Sequence, residues 1–149
     1  MKVFSENKQA FFDFEILETY EAGMVLQGQE VKSIKQGKAS IRGSYVKIID
    51  SELVLIGSTI APYQPLNAPD NYDPQRTRNL LVTKAELNKF YGKIKEKGLT
   101  LLPLKIYEKD GRIKIAIGLA KAKKKYDKRE VIKKREQDRI IKRMMTIKI

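Results

Sequence analysis

The chain contains no cysteine and no histidine. Without cysteine there is no disulfide and no thiolate metal site, and without histidine the commonest general base and metal ligand is gone. Ser-His-Asp triads, thiol nucleophiles and His-containing zinc centres are therefore excluded together. The sequence also lacks a GxxxxGKS/T phosphate loop and a GxGxxG run. No apolar stretch approaches the roughly 18 residues of a membrane span, and the opening MKVFSENKQ has no apolar middle of the kind a secretion signal needs. These absences lead us to expect a soluble, cytoplasmic protein without resident metal or cofactor.

What the chain has in excess is positive charge: 31 Lys and Arg against 18 Asp and Glu, a net +13 and a sequence pI near 9.8. Partners for such a surface are nucleic acid, an anionic membrane or an acidic protein. The charge is unevenly placed. Residues 121–149 carry thirteen Lys and Arg against four Asp and Glu, so +9 lies in this segment and +4 in the 120 residues before it. A run of like charge cannot bury enough apolar surface to offset its ordering entropy. We therefore expect residues 1–120 to form one domain and residues 121–149 a basic tail, disordered when free. Asp127 followed by Glu130 resembles a helix N-cap, and a loose apolar stripe from Val131 to Met145 allows a marginal helix over about 128–145, stabilised only on a charge-neutralising surface. That stripe lacks Trp and Phe and is broken by charge, which argues against a membrane-surface role.

Within the body, residues 11–20 (FFDFEILETY) alternate with the period of a half-buried strand, and Glu21-Ala22-Gly23 predicts a sharp bend or tight hairpin before MVLQG. Val31 and Ile34 predict a short helix over 29–36, stopped at Gly37. YVKIID and ELVLIGSTI predict a hairpin, and the proline-rich stretch 61–79 predicts a surface loop. Thr83 with Glu86 forms a capping box ahead of an apolar series at Leu87, Phe90, Tyr91 and Ile94, so a helix is expected as far as Gly98. Asp110-Gly111 joins two apolar runs and is the strongest hairpin signal, with Pro103 marking an edge or a bulge. The fold class expected is mainly β with helices: a small OB-like barrel, closed or partly open, of about six strands with two to three helices. The densest carboxylates, Glu15, Glu18, Glu21 and Glu30, offer the one remaining route to Mg²⁺ chemistry. Their spacing is that of ordinary carboxylates beside a strand, so no enzymatic role is expected.

The strings EILETYEAGMVLQGQEVKSIKQGKASI, SYVKI, DPQRTRNLLV, GLTLLPLKIY and KIAIGLAKAKKKYDKRE occur in one order, followed by the basic end. In this order they resemble the SmpB family of SsrA-binding proteins, bacterial partners of tmRNA, over about residues 7–145. The resemblance implies a ribosome-rescue factor and not an enzyme. Its barrel would bind the tRNA-like domain of tmRNA, and its tail would order as a helix in the vacant mRNA channel of a stalled ribosome, so that the unfinished peptide is tagged. A monomer is expected, with tmRNA and the rRNA of the decoding region and mRNA channel as partners. The alternative is a ribosomal or general structured-RNA-binding OB-fold protein.

By the same resemblance, the RNA face of the barrel includes Asn7, Lys8, Glu21, Ala22, Gly23, Leu81 and Lys114. Lysines suit phosphates, Asn7 and Glu21 suit polar edges or 2′-hydroxyls, and Gly23 permits close backbone approach. Leu81 could equally be a core residue. In the tail, Lys121, Lys123, Lys124, Tyr126, Asp127, Lys128 and Arg129 match the family pattern GLAKGKKxxDKR and are the implied decoding-centre contacts, with Tyr126 able to stack on a base. Ala122 stands where the family usually has Gly, which calls into question a left-handed backbone at that joint.

Overall fold

A computed structural model describes residues 2–123, 132–137 and 139–140. In chain order the elements are β1 (Lys2–Glu6), α1 (Lys8–Asp13), β2 (Phe14–Met24), α2 (Gly28–Lys35), β3 (Ala39–Ser40), β4 (Tyr45–Ile49), β5 (Glu52–Ile56), β6 (Thr59–Ile60), β7 (Arg78–Leu81), α3 (Lys84–Lys97), β8 (Thr100–Lys109) and β9 (Arg112–Ala122). Seven strands make one antiparallel sheet in the order β1-β8-β9-β2-β7-β5-β4, and β3 pairs with β6 separately. The chain is mainly β with helices, as its patterning predicts, although short strands raise the count above six. Among the described residues the ladder does not close: it ends at β1 on one side and β4 on the other. The sheet curls enough to bring β4 beside the start of β8.

The two clearest turn signals fold as their chemistry requires. Asp110-Gly111 and Asp50-Ser51 both place two consecutive residues at positive φ, the backbone that matches the twist of a two-residue hairpin. α3 begins with both hydrogen bonds of the Thr83–Glu86 capping box and ends on Gly98 at φ 63°, where a left-handed residue ends the helix at least steric cost. Its Phe90 is fully buried against the edge of the Tyr20 ring, the centroids 4.7 Å apart, and fastens the helix to the sheet.

Three expectations need correction. Residues 8–13 are helical, so the strand expected over 11–20 begins only at Phe14. The apolar alternation there is real, but Ala10 turns into a small cluster with Leu102, Leu104 and Ala116, and that tertiary contact selects a helix. No bend or hairpin occurs at Glu21-Ala22-Gly23, because β2 runs unbroken to Met24 and is held on both sides by β9 and β7. Finally, β9 passes the boundary expected at Ala120: Lys121 pairs with Glu15 and Ala122 with Phe14. Ala122 therefore has ordinary strand backbone, which explains how alanine serves there. Beyond it, residues 132–137 and 139–140 are helical, inside the span where a marginal helix is expected.

The core has two parts on opposite sides of the sheet. Inside the curl lie Ala22, Ile34, Leu55, Phe90, Leu101, Ile106, Ile115, Ile117 and Leu119. Outside, under α1, lie Ala10, Leu102, Leu104, Tyr107, Ala116 and Ala120. The ladder shifts register between Pro103 and Lys105, so Pro103 marks a bulge, as its missing N–H suggests, while β8 itself is an interior strand. The loop from 61 to 77 is more than surface. Fully buried Glu30 of α2 takes two hydrogen bonds from fully buried Arg78, at 2.8 and 3.0 Å, and a third from Arg76. Arg78 also donates to the Ser58 and Pro74 carbonyls, tying the loop to the end of the sheet.

Candidate nucleic-acid interface

The outer surface of β7, β2, β9 and β8 follows from strand parity. Because Ile113, Ile115 and Ile117 point into the curl, Lys114 and Ala116 must point out. Pairing carries this across the sheet: Leu81 lies beside Gly23, Gly23 beside Lys114, and Lys114 beside Tyr107. One row thus joins four strands, spanning roughly 14 Å at ordinary strand spacing. A second row next to it joins Glu21, Ala116 and Lys105.

Leu81 is 60% exposed, which settles its alternative as a core residue against the core. It lies over Gly23, where an added Cβ would meet the Leu81 Cβ at 3.3 Å. Gly23 therefore makes room for an apolar side chain lying flat on the sheet. Ala22, in contrast, is 2% exposed and faces the interior, so only its backbone is available on this face.

Glu21 organises the polar part of the surface. It accepts from the Tyr107 hydroxyl at 2.5 Å and from Lys109 Nζ at 3.4 Å. The Tyr107 hydrogen bond, with help from Lys109 and Lys114, holds the Glu21 carboxyl below its ordinary range. Burial and the neighbouring carboxylate push the Tyr107 phenol up, so it remains a protonated donor. The carboxylate is thus fixed in place as an acceptor amid lysines.

Asn7 and Lys8 start α1 at the other end of the face. Asn7 is buried: its backbone N–H donates to the Leu104 carbonyl at 2.8 Å and its side-chain amide to the Pro103 carbonyl at 2.9 Å. Its position therefore anchors the helix at the β8 bulge and leaves its side-chain donor engaged within the protein. Lys8 is exposed and lines a cleft of about 480 Å³ with Glu6, Phe11, Leu104, Lys105 and Arg135 among its walls. Arg135 of the tail lies over the Phe12 ring, 5.7 Å from its centroid.

Of the tail candidates, Lys121 is an exposed residue of β9, and Lys123 closes the far end of α1 through hydrogen bonds to the Asp13 and Phe11 carbonyls. Lys124, Tyr126, Asp127, Lys128 and Arg129 lie outside the described residues. Sequence reasoning overlooked Lys105, Tyr107 and Lys109. The Asp110-Gly111 turn was signal enough, because a two-residue hairpin places 109 opposite 112 and so 107 opposite 114. Among the described residues no group of three or more carboxylates is placed to hold a metal ion, and Glu30 is committed to its arginines.

The surface is one of fixed donors, acceptors and flat apolar contact. Comparison with known proteins gives the family. The family model described as SmpB protein matches residues 4–147. An SsrA-binding protein of Thermosynechococcus vestitus is 49% identical over 145 residues, covering 97% of this chain and 95% of its own. One of Geobacillus kaustophilus is 50% identical over 142 residues, covering 95% and 91%. A chain of a solved structure described as "tmRNA-SmpB: a journey to the center of the bacterial ribosome" is 47% identical, with a TM-score of 0.65 over 85% of this chain and 92% of that one. With a match across nearly its whole length and half its residues shared with such relatives, the chain belongs to the SmpB family of SsrA-binding proteins.

Proposed function

We propose that this chain binds the tRNA-like domain of tmRNA through the outer β7-β2-β9-β8 face and delivers it to stalled ribosomes for peptide tagging. The observation that carries the assignment of the face is the row Leu81, Gly23, Lys114, Tyr107, with Glu21 fixed beside it. Lys114, Lys109 and Lys8 would meet phosphates, Glu21 would accept from a 2′-hydroxyl or base edge, and Leu81 would lie against a sugar or base. The face presents binding groups only, and its role is that of an adaptor in the cytoplasm, acting as a monomer without catalysis of its own. The second half of the function belongs to the tail. Lys121, Lys123, Lys124, Tyr126, Asp127, Lys128 and Arg129 are assigned to the ribosome, with ordering of the tail offset by phosphate contacts made on docking.

Two substitutions separate the parts. Lys114→Ala should weaken binding to the isolated tRNA-like domain and lower the slope of log affinity against log salt by about 1. Melting should not change, since an outward lysine leaves no cavity. Truncation after Lys123, which spares β9 and the Lys123 contacts to α1, should retain that binding and abolish peptide tagging on stalled ribosomes. Unchanged affinity in Lys114→Ala would remove the face assignment. Tagging by the truncated chain would remove the tail assignment.

A further inference from the structure

The open seam of the sheet forms a groove that the function above leaves unused. β4 is an edge strand with no ladder partner on its far side among the described residues, and it lies beside the start of β8 without pairing to it. α3 roofs the gap. The resulting groove, about 580 Å³, has Val46, Ile48, Ile94 and Leu101 as its apolar lining and Lys47 and Lys95 as its charged groups, with no acidic residue among the lining described. Tyr91, 57% exposed, stands on the helix bank and lines the groove. The ring carries a lysine, Lys95 Nζ at 5.8 Å from its centroid.

An exposed aromatic ring coupled to a cation beside an apolar floor matches single-stranded nucleic acid. A base can stack on the free face of a tyrosine, and the lysine at its edge can reach the adjoining phosphate. A peptide adding to the β4 edge would gain main-chain bonds, but it would give the two lysines no partner unless it were acidic. The groove is also distant from the first face. It opens at the Thr100 end of β8, and Tyr107 lies seven residues further along, roughly 20 Å away.

We propose that the β4–α3 groove is a second RNA-binding surface, which takes a short unpaired segment with a base on Tyr91 and phosphates on Lys95 and Lys47. One chain could then hold a structured RNA on its outer face and an unpaired strand at its seam.

The test titrates the full chain with a nine-nucleotide oligouridine, alone and in the presence of saturating tRNA-like domain, and maps ultraviolet crosslinks. Binding should persist with the first RNA bound, and crosslinks should fall on Tyr91. Tyr91→Ala combined with Lys95→Ala should weaken oligouridine binding about ten-fold, the scale of losing one stacked base and one phosphate contact. Both side chains project from the surface of α3, so melting serves as the control on folding. Lys47→Glu on β4 should weaken it as well, while Lys114→Ala should leave it intact and affect only the tRNA-like RNA. The proposal is overturned if the tRNA-like domain displaces the oligouridine, if the double variant binds it unchanged, or if an acidic peptide competes for the groove and the RNA does not.

Discussion

Two clusters in this molecule place a glutamate among cations and hydrogen-bond donors, and they differ chiefly in exposure. Glu30 is fully buried, with every bond it accepts coming from Gln27, Arg76 or Arg78. Glu21 is exposed, accepting from Tyr107 on one side and a solvent-facing lysine on the other. Burial alone would push the Glu30 carboxyl up; the Gln27 N–H and the two guanidinium groups outweigh it, and the group is held below its ordinary range. Glu21 is lowered too, first by the Tyr107 hydrogen bond. The same chemistry thus serves two ends. Where water is excluded, removing a partner leaves a bare charge and destabilises the fold. Where water is present, the pair contributes little to stability and its geometry is available to a ligand.

The comparison can be broken most severely at the buried cluster. Glu30→Gln leaves Arg78 enclosed without its counter-charge, and we expect a loss of about 3–5 kcal/mol by chemical denaturation. A loss under about 1 kcal/mol would show that Arg78 is satisfied by Ser58 and Pro74 alone. Next in size is Tyr107→Phe, which keeps the buried ring and deletes its hydroxyl, at a cost of about 1 kcal/mol. The sharper readout is the Glu21 titration by NMR. With its main stabilising bond removed, the Glu21 pKa should rise toward the ordinary glutamate value, and if it stays put, Lys109 and Lys114 are the real cause.

Acid separates the clusters further. A carboxyl lowered in the folded state contributes stability that is fully present above the ordinary glutamate pKa and is lost as pH falls through the lowered folded value. Wild type should therefore lose stability on acidification through and below the ordinary glutamate range, and Glu30→Gln should show a shallower loss over the same range. Equal slopes would mean that Glu30 carries no share of the acid sensitivity. The smallest effect on stability belongs to Lys114→Ala, within about 0.5 kcal/mol, although the same change weakens RNA binding. A larger loss would place Lys114 in the packing of the sheet.

Part of the site is legible in the local pattern of the chain. Alternation over 113–119 gives the outward direction of Lys114, and the Asp110-Gly111 turn then sets the register that brings Tyr107 opposite. The family resemblance points to Glu21, Gly23 and Leu81, but nothing local could say that Leu81 is exposed, because its own stretch, NLLV, reads as core. Only the approach of β7 to Gly23, from a strand far away in sequence, leaves that side chain on the surface.

Local chemistry by itself determined the hairpins at Asp50-Ser51 and Asp110-Gly111, the α3 boundaries and the concentration of charge in the last 29 residues. Each depends on φ preference, capping or periodicity among residues a few positions apart, so the sequence contains all the information needed. Tertiary structure decided the rest. It made 8–13 a helix in spite of strand-like alternation, with Ala10 buried in the cluster under β8 and β9. It buried Glu30 with Arg78, 48 positions away, and left β4 and β8 side by side without pairing. Those outcomes depend on which distant surfaces meet, and the free energy of such meetings resides in desolvation and packing that no short stretch of chain contains.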